Sequence, residues 1–73
     1  MVVFSAALLR NEVWLARKKN PAWRHGQTCW IVAQGIWPKQ TWPLRGGPAD
    51  PFYDDRMEGA FFAALEVADW DAE

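Results

Sequence analysis

Apolar residues recur at three- and four-residue steps near the end of the chain, which predicts one amphipathic helix from Asp50 to about Trp70. Asp50 followed by Pro51 is a typical helix start, because the Asp side chain caps free N–H groups and proline suits the first helical position. An alternative start lies one turn later, since residues 55–58 have the spacing of a capping box and would leave residues 51–54 as a lead-in turn. The apolar face of this helix comprises Tyr53, Met57, Ala60, Phe61, Ala64, Leu65 and Ala68.

The pattern before this helix predicts β-structure. Residues 2–9 and 12–18 form two runs rich in apolar residues, and Arg10 and Asn11 would join them as the turn of an antiparallel hairpin. A helix over the first nine residues is the second choice, because Ala and Leu favour it.

A third strand is predicted beyond a loop. Asn-Pro and Gly within residues 18–27 indicate the loop, and the β-branched and aromatic residues at 28–33 are typical of a strand. Ile36 and Trp37 would form a short fourth strand. It would lie at a sheet edge, because Pro38 has no N–H to donate to a neighbouring strand.

These elements predict one α+β domain spanning residues 1–73. We expect a small antiparallel sheet of three or four strands with one C-terminal amphipathic helix packed on it. The β-rich, basic part would cover residues 1–43, the linker residues 44–50 and the acidic helix residues 51–70.

Composition adds a source of stability to this picture. A chain of 73 residues has room for only a small core, and its 6 tryptophans can each bury a large area. We expect Trp14 and Trp30 in the core. Trp23, Trp37 and Trp42 lie among prolines and charges, so core positions are less expected for them.

Cys29 is the only cysteine, which excludes an internal disulfide and favours a reducing cytosol. A structural zinc site needs four ligands, and Cys29 and His25 are the only soft or borderline ones, so we expect no metal and no cofactor. The first nine residues are apolar, but they lack a preceding basic region and are too short to span a membrane.

The sequence also gives little support for an enzymatic function. The chain has one serine and one histidine, and no hydrolase motif accompanies them. His25 and Cys29 are four residues apart, a spacing that matters on a helix, but the predicted boundary between loop and strand lies between them. We therefore interpret His25 as a loop residue and Cys29 as a small buried apolar residue.

Charge is distributed very unevenly. Residues 1–49 carry seven of the 8 basic residues and one acid, whereas residues 50–73 carry eight of the 9 acids and one base, Arg56. One interpretation is solubility, or pairing between the two parts. The other is that one pole of the molecule meets a partner of opposite charge, which would steer association.

The basic run at residues 17–19 allows two interpretations of its own. With Trp23 and Arg24 nearby, it resembles a patch that contacts phosphates and stacks on a base, as in proteins that bind single-stranded nucleic acid. A solvated loop without a ligand is the alternative. Eight acids in the same chain would repel a phosphate backbone unless they point away from it.

As a whole, the chain resembles small bacteriophage-encoded transcription regulators that bind host bacterial RNA polymerase, from lytic phages of plant-pathogenic bacteria. The resemblance extends from Met1-Val2-Val3-Phe4 through Trp37-Pro38-Lys39-Gln40-Thr41-Trp42-Pro43 to Ala68-Asp69-Trp70-Asp71-Ala72-Glu73, and it rests on length and overall character.

The resemblance implies a function in the host bacterial cytoplasm. Such a regulator binds the N-terminal segment of the largest polymerase subunit, disfavours the sigma-containing holoenzyme at promoters, and promotes read-through of terminators alongside the host elongation factor NusA. It implies no catalytic residue, no membrane and no small-molecule ligand. An exposed sheet edge would be a plausible dock for the polymerase peptide by strand addition.

Composition, and not the resemblance, suggests the contact residues, because aromatic and basic side chains are favoured at binding hot spots and suit a position near nascent RNA. Two other classes remain open: a nucleic-acid-binding module, and an anti-CRISPR-like inhibitor whose acidic helix replaces phosphate. The expected partner-binding residues are Lys18, Lys19, Trp23, Arg24, Lys39 and Trp42.

Overall fold

The computed structural model of the protein describes residues 4–68, and over this range the chain is helical throughout, without a β-strand. The expected α+β fold, with a sheet of three or four strands under one helix, is therefore wrong. Four α-helices form instead, with two short 3₁₀ helices between the third and the fourth. In chain order the elements are α1 (Ala6–Lys19), α2 (His25–Ile36), α3 (Pro38–Thr41), the 3₁₀ helices Trp42–Leu44 and Asp55–Met57, and α4 (Glu58–Glu66).

Helix α1 occupies the region predicted as a hairpin, and the predicted turn lies in the middle of this helix. Ser5 begins it, because its hydroxyl oxygen accepts a hydrogen bond from the backbone N–H of Leu8 at 3.2 Å. Asn20 ends it, since its backbone and side-chain N–H groups both donate to the carbonyl of Ala16. Residues 2 and 3 of the first predicted strand lie outside the described residues.

The side chains of α1 explain why this region forms a helix and not the predicted hairpin. Leu9 and Val13 are buried one turn apart, so the apolar period is that of a helix and not of a strand. Arg17, Lys18 and Lys19 form the last turn, where cations interact favourably with the negative end of the helix dipole. The basic run assigned partly to a loop is thus the end of a helix.

Helix α2 replaces the third predicted strand. Its β-branched residues are typical of strands, but its buried positions Gly26, Cys29, Trp30 and Ala33 follow a helical spacing. The helix lies at the centre of the molecule and packs on α1, so burial outweighs the local β-preference. The predicted fourth strand is also wrong, because it coincides with the end of α2.

Helix α3 follows directly. The backbone N–H of Trp37 donates to the carbonyl of Ala33 at 2.7 Å and closes α2, and Pro38 then takes the first position of α3. Thr41 at the end of α3 is fully buried, and its hydroxyl donates to the same Ala33 carbonyl at 3.3 Å. The two helices are therefore fastened to each other across the bend.

The core is aromatic and lies between α1, α2 and α4. Trp30 is buried as expected, but Trp14 is 59% exposed, and Trp37, for which a core position was less expected, is only 2% exposed. The ring of Trp30 packs 6.0 Å from that of Phe61, measured between centroids. The buried apolar residues are Leu9, Val13, Cys29, Trp30, Ala33, Trp37, Phe61, Phe62 and Leu65.

The C-terminal helix is shorter than its apolar pattern predicts. The later of the two predicted starts is closer to the structure, since the 3₁₀ helix Asp55–Met57 leads into α4. Asp50 does not cap a helix: its carboxylate accepts from the N–H groups of Gly46 and Phe52 and closes a turn. Helix α4 ends at Glu66, and the predicted end near Trp70 lies outside the described residues.

The predicted capping box does not form either. Asp54 caps the 3₁₀ helix by accepting from the N–H of Arg56 at 3.0 Å. The carboxylate of Asp55 instead accepts from the N–H of Gly26, 2.9 Å away at the start of α2. A side chain expected to serve its own helix therefore joins two distant parts of the chain.

No helix within residues 4–68 has the length and apolar character needed to cross a membrane. The longest, α1, has 14 residues.

Gly26 marks the closest approach between two segments, because a Cβ atom there would overlap the Pro51 carbonyl oxygen and lie 3.1 Å from the Cα atom of Asp55. Gly35, in the last turn of the same helix, faces open space. We expect Gly26→Ala to destabilise the fold by about 1–3 kcal/mol, because the backbone must shift. Gly35→Ala should stabilise it by about 0.5–1 kcal/mol, because glycine is the poorer helix former.

Urea unfolding followed by tryptophan fluorescence measures both changes. Equal effects of the two substitutions would contradict the close approach at Gly26.

Candidate functional site

A groove of about 510 Å³ lies between α1, the start of α2 and the start of α4, and we call it the basic groove. Buried side chains form its depth: Val13 from α1, Cys29 from α2 and Phe62 from α4. Three exposed cations from one helix line its opening, namely Arg10, Arg17 and Lys18.

Two of these cations rest on aromatic rings. The guanidinium carbon of Arg10 lies 5.1 Å from the ring centroid of Phe62, and the ammonium of Lys18 lies 4.3 Å from that of Trp14. Such contacts are worth about 0.5–1 kcal/mol at exposed sites and restrict the positions of long side chains. The groove therefore presents positive charge that is partly held in place, beside the exposed indole of Trp14.

A cluster of three polar side chains lies in the groove. His25 and Cys29 stand one turn apart on α2, and Glu58 comes from the first residue of α4. The Cys29 Sγ atom is 3.8 Å from His25 Nε2 and 3.6 Å from Glu58 Oε2. The His25 Nε2 and Glu58 Oε2 atoms are in direct hydrogen-bonding contact.

This cluster was not predicted from the sequence, for two reasons. His25 is the first residue of a helix and not a loop residue, so the four-residue spacing to Cys29 does bring the two side chains together. The third donor is also neither Cys nor His, since Glu58 supplies it from 29 residues beyond Cys29. A helical assignment of residues 25–36 would have revealed the pair, but nothing local indicates Glu58.

The environment of Cys29 suppresses its thiolate. Burial, reinforced by the negative charge of Glu58 and a hydrogen bond from the thiol to that carboxylate, raises the pKa of Cys29 to about 12. Its side chain is only 1% exposed, which agrees with its interpretation as a buried residue. In the ligand-free protein the thiol is thus neutral near pH 7.

The six predicted partner-binding residues do not form one surface with the basic groove. Lys18 lines the groove, and Lys19 is exposed beside it at the end of α1. Lys39 lies on α3, and Trp42 follows it, 46% exposed, with its ring 5.9 Å from that of buried Trp30. Neither of these two residues lines the groove.

The other two predicted residues precede α2. Trp23 is half-buried, and Arg24 is the N-cap residue of the helix. The Arg24 guanidinium donates a hydrogen bond to the Phe52 carbonyl and lies 3.6 Å from the carboxylate of Asp55. Arg24 therefore has a structural role in holding the segment before α4 against the start of α2, separate from its predicted role in partner binding.

Comparisons with protein-family models, with curated proteins and with solved structures returned no match to this chain. The function is accordingly argued from the geometry of the site together with the sequence.

We expect Arg24→Ala to lower the free energy of unfolding by about 1 kcal/mol, because it removes a bond to a backbone carbonyl and an exposed ion pair. For a domain of this size, that corresponds to a fall in the melting temperature of about 4–8 °C. Thermal unfolding followed by circular dichroism measures it. Lys19→Ala, which removes an exposed cation from the end of α1, is the control and should shift the midpoint much less.

We expect Cys29 to react slowly with iodoacetamide at pH 8 in the native protein. The thiol is buried and its pKa is raised to about 12, whereas an unfolded cysteine has a pKa near 8.5 and is partly ionised. Mass spectrometry of the alkylated chain measures the rate, with the protein in guanidinium chloride as the fast control. Equal rates in the two conditions would show that Cys29 is accessible and ionised.

Proposed function

We propose that this chain is a binding protein, not an enzyme, that holds an acidic peptide segment of a larger bacterial assembly in the basic groove. The observation that carries the proposal is the opening of this groove, where Arg10, Arg17 and Lys18 stand over a largely apolar interior. A segment with carboxylates spaced along an apolar stretch would satisfy both parts at once.

The aromatic side chains support a peptide as the occupant. Trp14 is 59% exposed and carries Lys18 on its ring, so it offers a flat apolar surface beside a fixed charge. Tryptophan and arginine are the residues that most often dominate binding energy at protein interfaces. Their combination within one groove favours a protein partner over a small anion.

The partner that we propose is host RNA polymerase, through the N-terminal segment of its largest subunit, as the sequence resemblance implies. Binding there would disfavour association of sigma and inhibit initiation at promoters. Read-through of terminators with NusA, close to nascent RNA in the host cytoplasm, belongs to the same proposal.

The mode of binding must differ from the one expected from sequence. Strand addition needs a sheet edge, and residues 4–68 contain no strand. A groove between helices can instead receive a helical or extended segment through side-chain contacts. The inhibitor alternative, in which the acidic C-terminal part replaces phosphate, relies on Asp69 and Asp71, which lie outside the described residues.

Co-elution of the purified chain with bacterial RNA polymerase core, with holoenzyme and with free RNA tests the partner. We expect binding to the core enzyme, competition with sigma, and an affinity that falls with added salt, because the groove cations are exposed. Failure to bind polymerase from a matched host would refute the partner. Retention on RNA alone would favour a nucleic-acid-binding module.

Charge reversal tests the groove. We expect Lys18→Glu to weaken polymerase binding about tenfold, equal to about 1.4 kcal/mol, and to reduce its salt dependence. Lys39→Glu reverses an equal charge on α3 outside the groove and should leave the affinity nearly unchanged. Both can be measured by titration on immobilised core enzyme. Loss of binding in the Lys39 variant alone would assign the interface to α3 and to the residues after it.

A further inference from the structure

We propose that His25, Cys29 and Glu58 bind a zinc ion inside the basic groove. The site would be one of three protein ligands with an open fourth position. It is independent of the partner, since it requires only these three side chains and the ion.

The donor set suits zinc. Imidazole nitrogen, thiolate sulfur and carboxylate oxygen are the three ligand types that zinc accepts in proteins. The Cys29 thiol is neutral in the ligand-free protein, so it would release its proton to solvent as the sulfur binds the ion. Magnesium and calcium prefer oxygen alone, so the sulfur selects against them. Within residues 4–68, these three form the group of His, Cys and acidic side chains close enough to share an ion.

The distances also suit a tetrahedral ion. Bonds of about 2.3 Å to sulfur and about 2.0–2.1 Å to nitrogen or oxygen place tetrahedral ligand atoms about 3.3–3.6 Å apart. The Cys29 sulfur lies 3.8 Å from the His25 nitrogen and 3.6 Å from the Glu58 oxygen. Two of the three ligand separations are therefore already close to those of a zinc site.

The third distance, between His25 Nε2 and Glu58 Oε2, must increase before an ion can bind, because these two atoms are in direct contact. Both side chains retain freedom for this change, with 42% and 35% of their surfaces exposed. Rotation about the Glu58 side-chain bonds separates the two atoms without moving α4. The ion would then replace their direct contact by two bonds.

The fold holds the ligands from two directions. One helical turn fixes His25 relative to Cys29, so their separation depends only on α2. Glu58 is held by the preceding residues, since the Asp55 carboxylate accepts from the N–H of Gly26 next to His25. The ligands are thus brought together by the backbone before any ion binds, which reduces the ordering cost of binding.

The open position faces the groove, because all three ligands line it. A water molecule would complete the tetrahedron, as it does in zinc sites with three protein ligands.

The contact between Arg17 and His25 in the ligand-free protein disfavours metal binding. Its guanidinium nitrogen lies 3.5 Å from His25 Nδ1 and favours the tautomer with its proton on Nε2, the nitrogen that would bind the metal. Zinc binding through Nε2 requires the proton on Nδ1, so Arg17 must turn away. Removing Arg17, which is not itself a ligand, should therefore tighten metal binding.

Titration of the reduced 73-residue chain with Co²⁺ tests the proposal, with Zn²⁺ added afterwards as competitor. We expect one ion per chain, a thiolate-to-cobalt charge-transfer band in the near ultraviolet, and the strong visible bands of four-coordinate cobalt, all abolished by Zn²⁺. The charge-transfer band reports on Cys29 specifically, because the chain has no other cysteine.

Substitutions identify the ligands. Cys29→Ser should abolish the charge-transfer band. His25→Ala and Glu58→Gln should weaken Co²⁺ binding by more than the roughly 10–100-fold that loss of a contact supporting a metal ligand typically causes. Glu66→Gln, which neutralises an exposed carboxylate at the far end of α4, is the matched control and should leave binding unchanged. Arg17→Ala should increase the affinity several-fold.

Circular dichroism verifies that each variant is folded. If the variant at the buried Cys29 unfolds, the variants at the half-exposed His25 and Glu58 still test the site. Absence of the charge-transfer band in the native chain would overturn the proposal. A band that persists unchanged in both His25→Ala and Glu58→Gln would also overturn it, since cysteine would then bind cobalt without this cluster.

Discussion

The rest of the structure depends on how closely residues 51–55 approach the first turn of α2. That approach requires glycine at position 26, because a side chain there would occupy the space of the Pro51 carbonyl. The N–H group of Gly26 bonds to Asp55, and the guanidinium of Arg24 bonds to the carbonyl of Phe52. These contacts set where α4 begins. They therefore decide that Phe61 reaches the core and that Glu58 reaches His25.

Large aromatic side chains supply much of the buried apolar area in this small core. Trp30 fills it from α2 and Trp37 from the bend after α2, while Phe61 and Phe62 enter from α4. Phe62 also extends to the basic groove, where it carries the guanidinium of Arg10. The Phe62 ring thus packs in the core on one side and helps to position the Arg10 guanidinium on the other. A groove that shares residues with the core keeps its shape as long as the core is packed.

Groups from the basic and the acidic parts of the chain are brought together in this groove. Glu58, from the acidic part of the chain, lies beside His25 and Cys29, while Arg17 from the basic part approaches the other nitrogen of the same imidazole. Arg17 takes part in both proposals, as a cation that attracts an acidic segment and as the group that opposes a metal ion. Its position links the charge of the groove opening to the chemistry inside it.

The sequence by itself determined a helix near the C-terminus with a lead-in turn, a break around Pro21, and a buried Trp30, since apolar spacing, proline and large apolar side chains act locally. It did not determine whether residues 6–19 and 28–33 are helix or strand. Their local preferences are mixed, and the packing of α1 and α2 on each other decided between them. Tertiary structure alone joined Glu58 to His25 across 33 residues, because a contact that distant depends on the backbone approach at Gly26 and leaves no trace in local spacing.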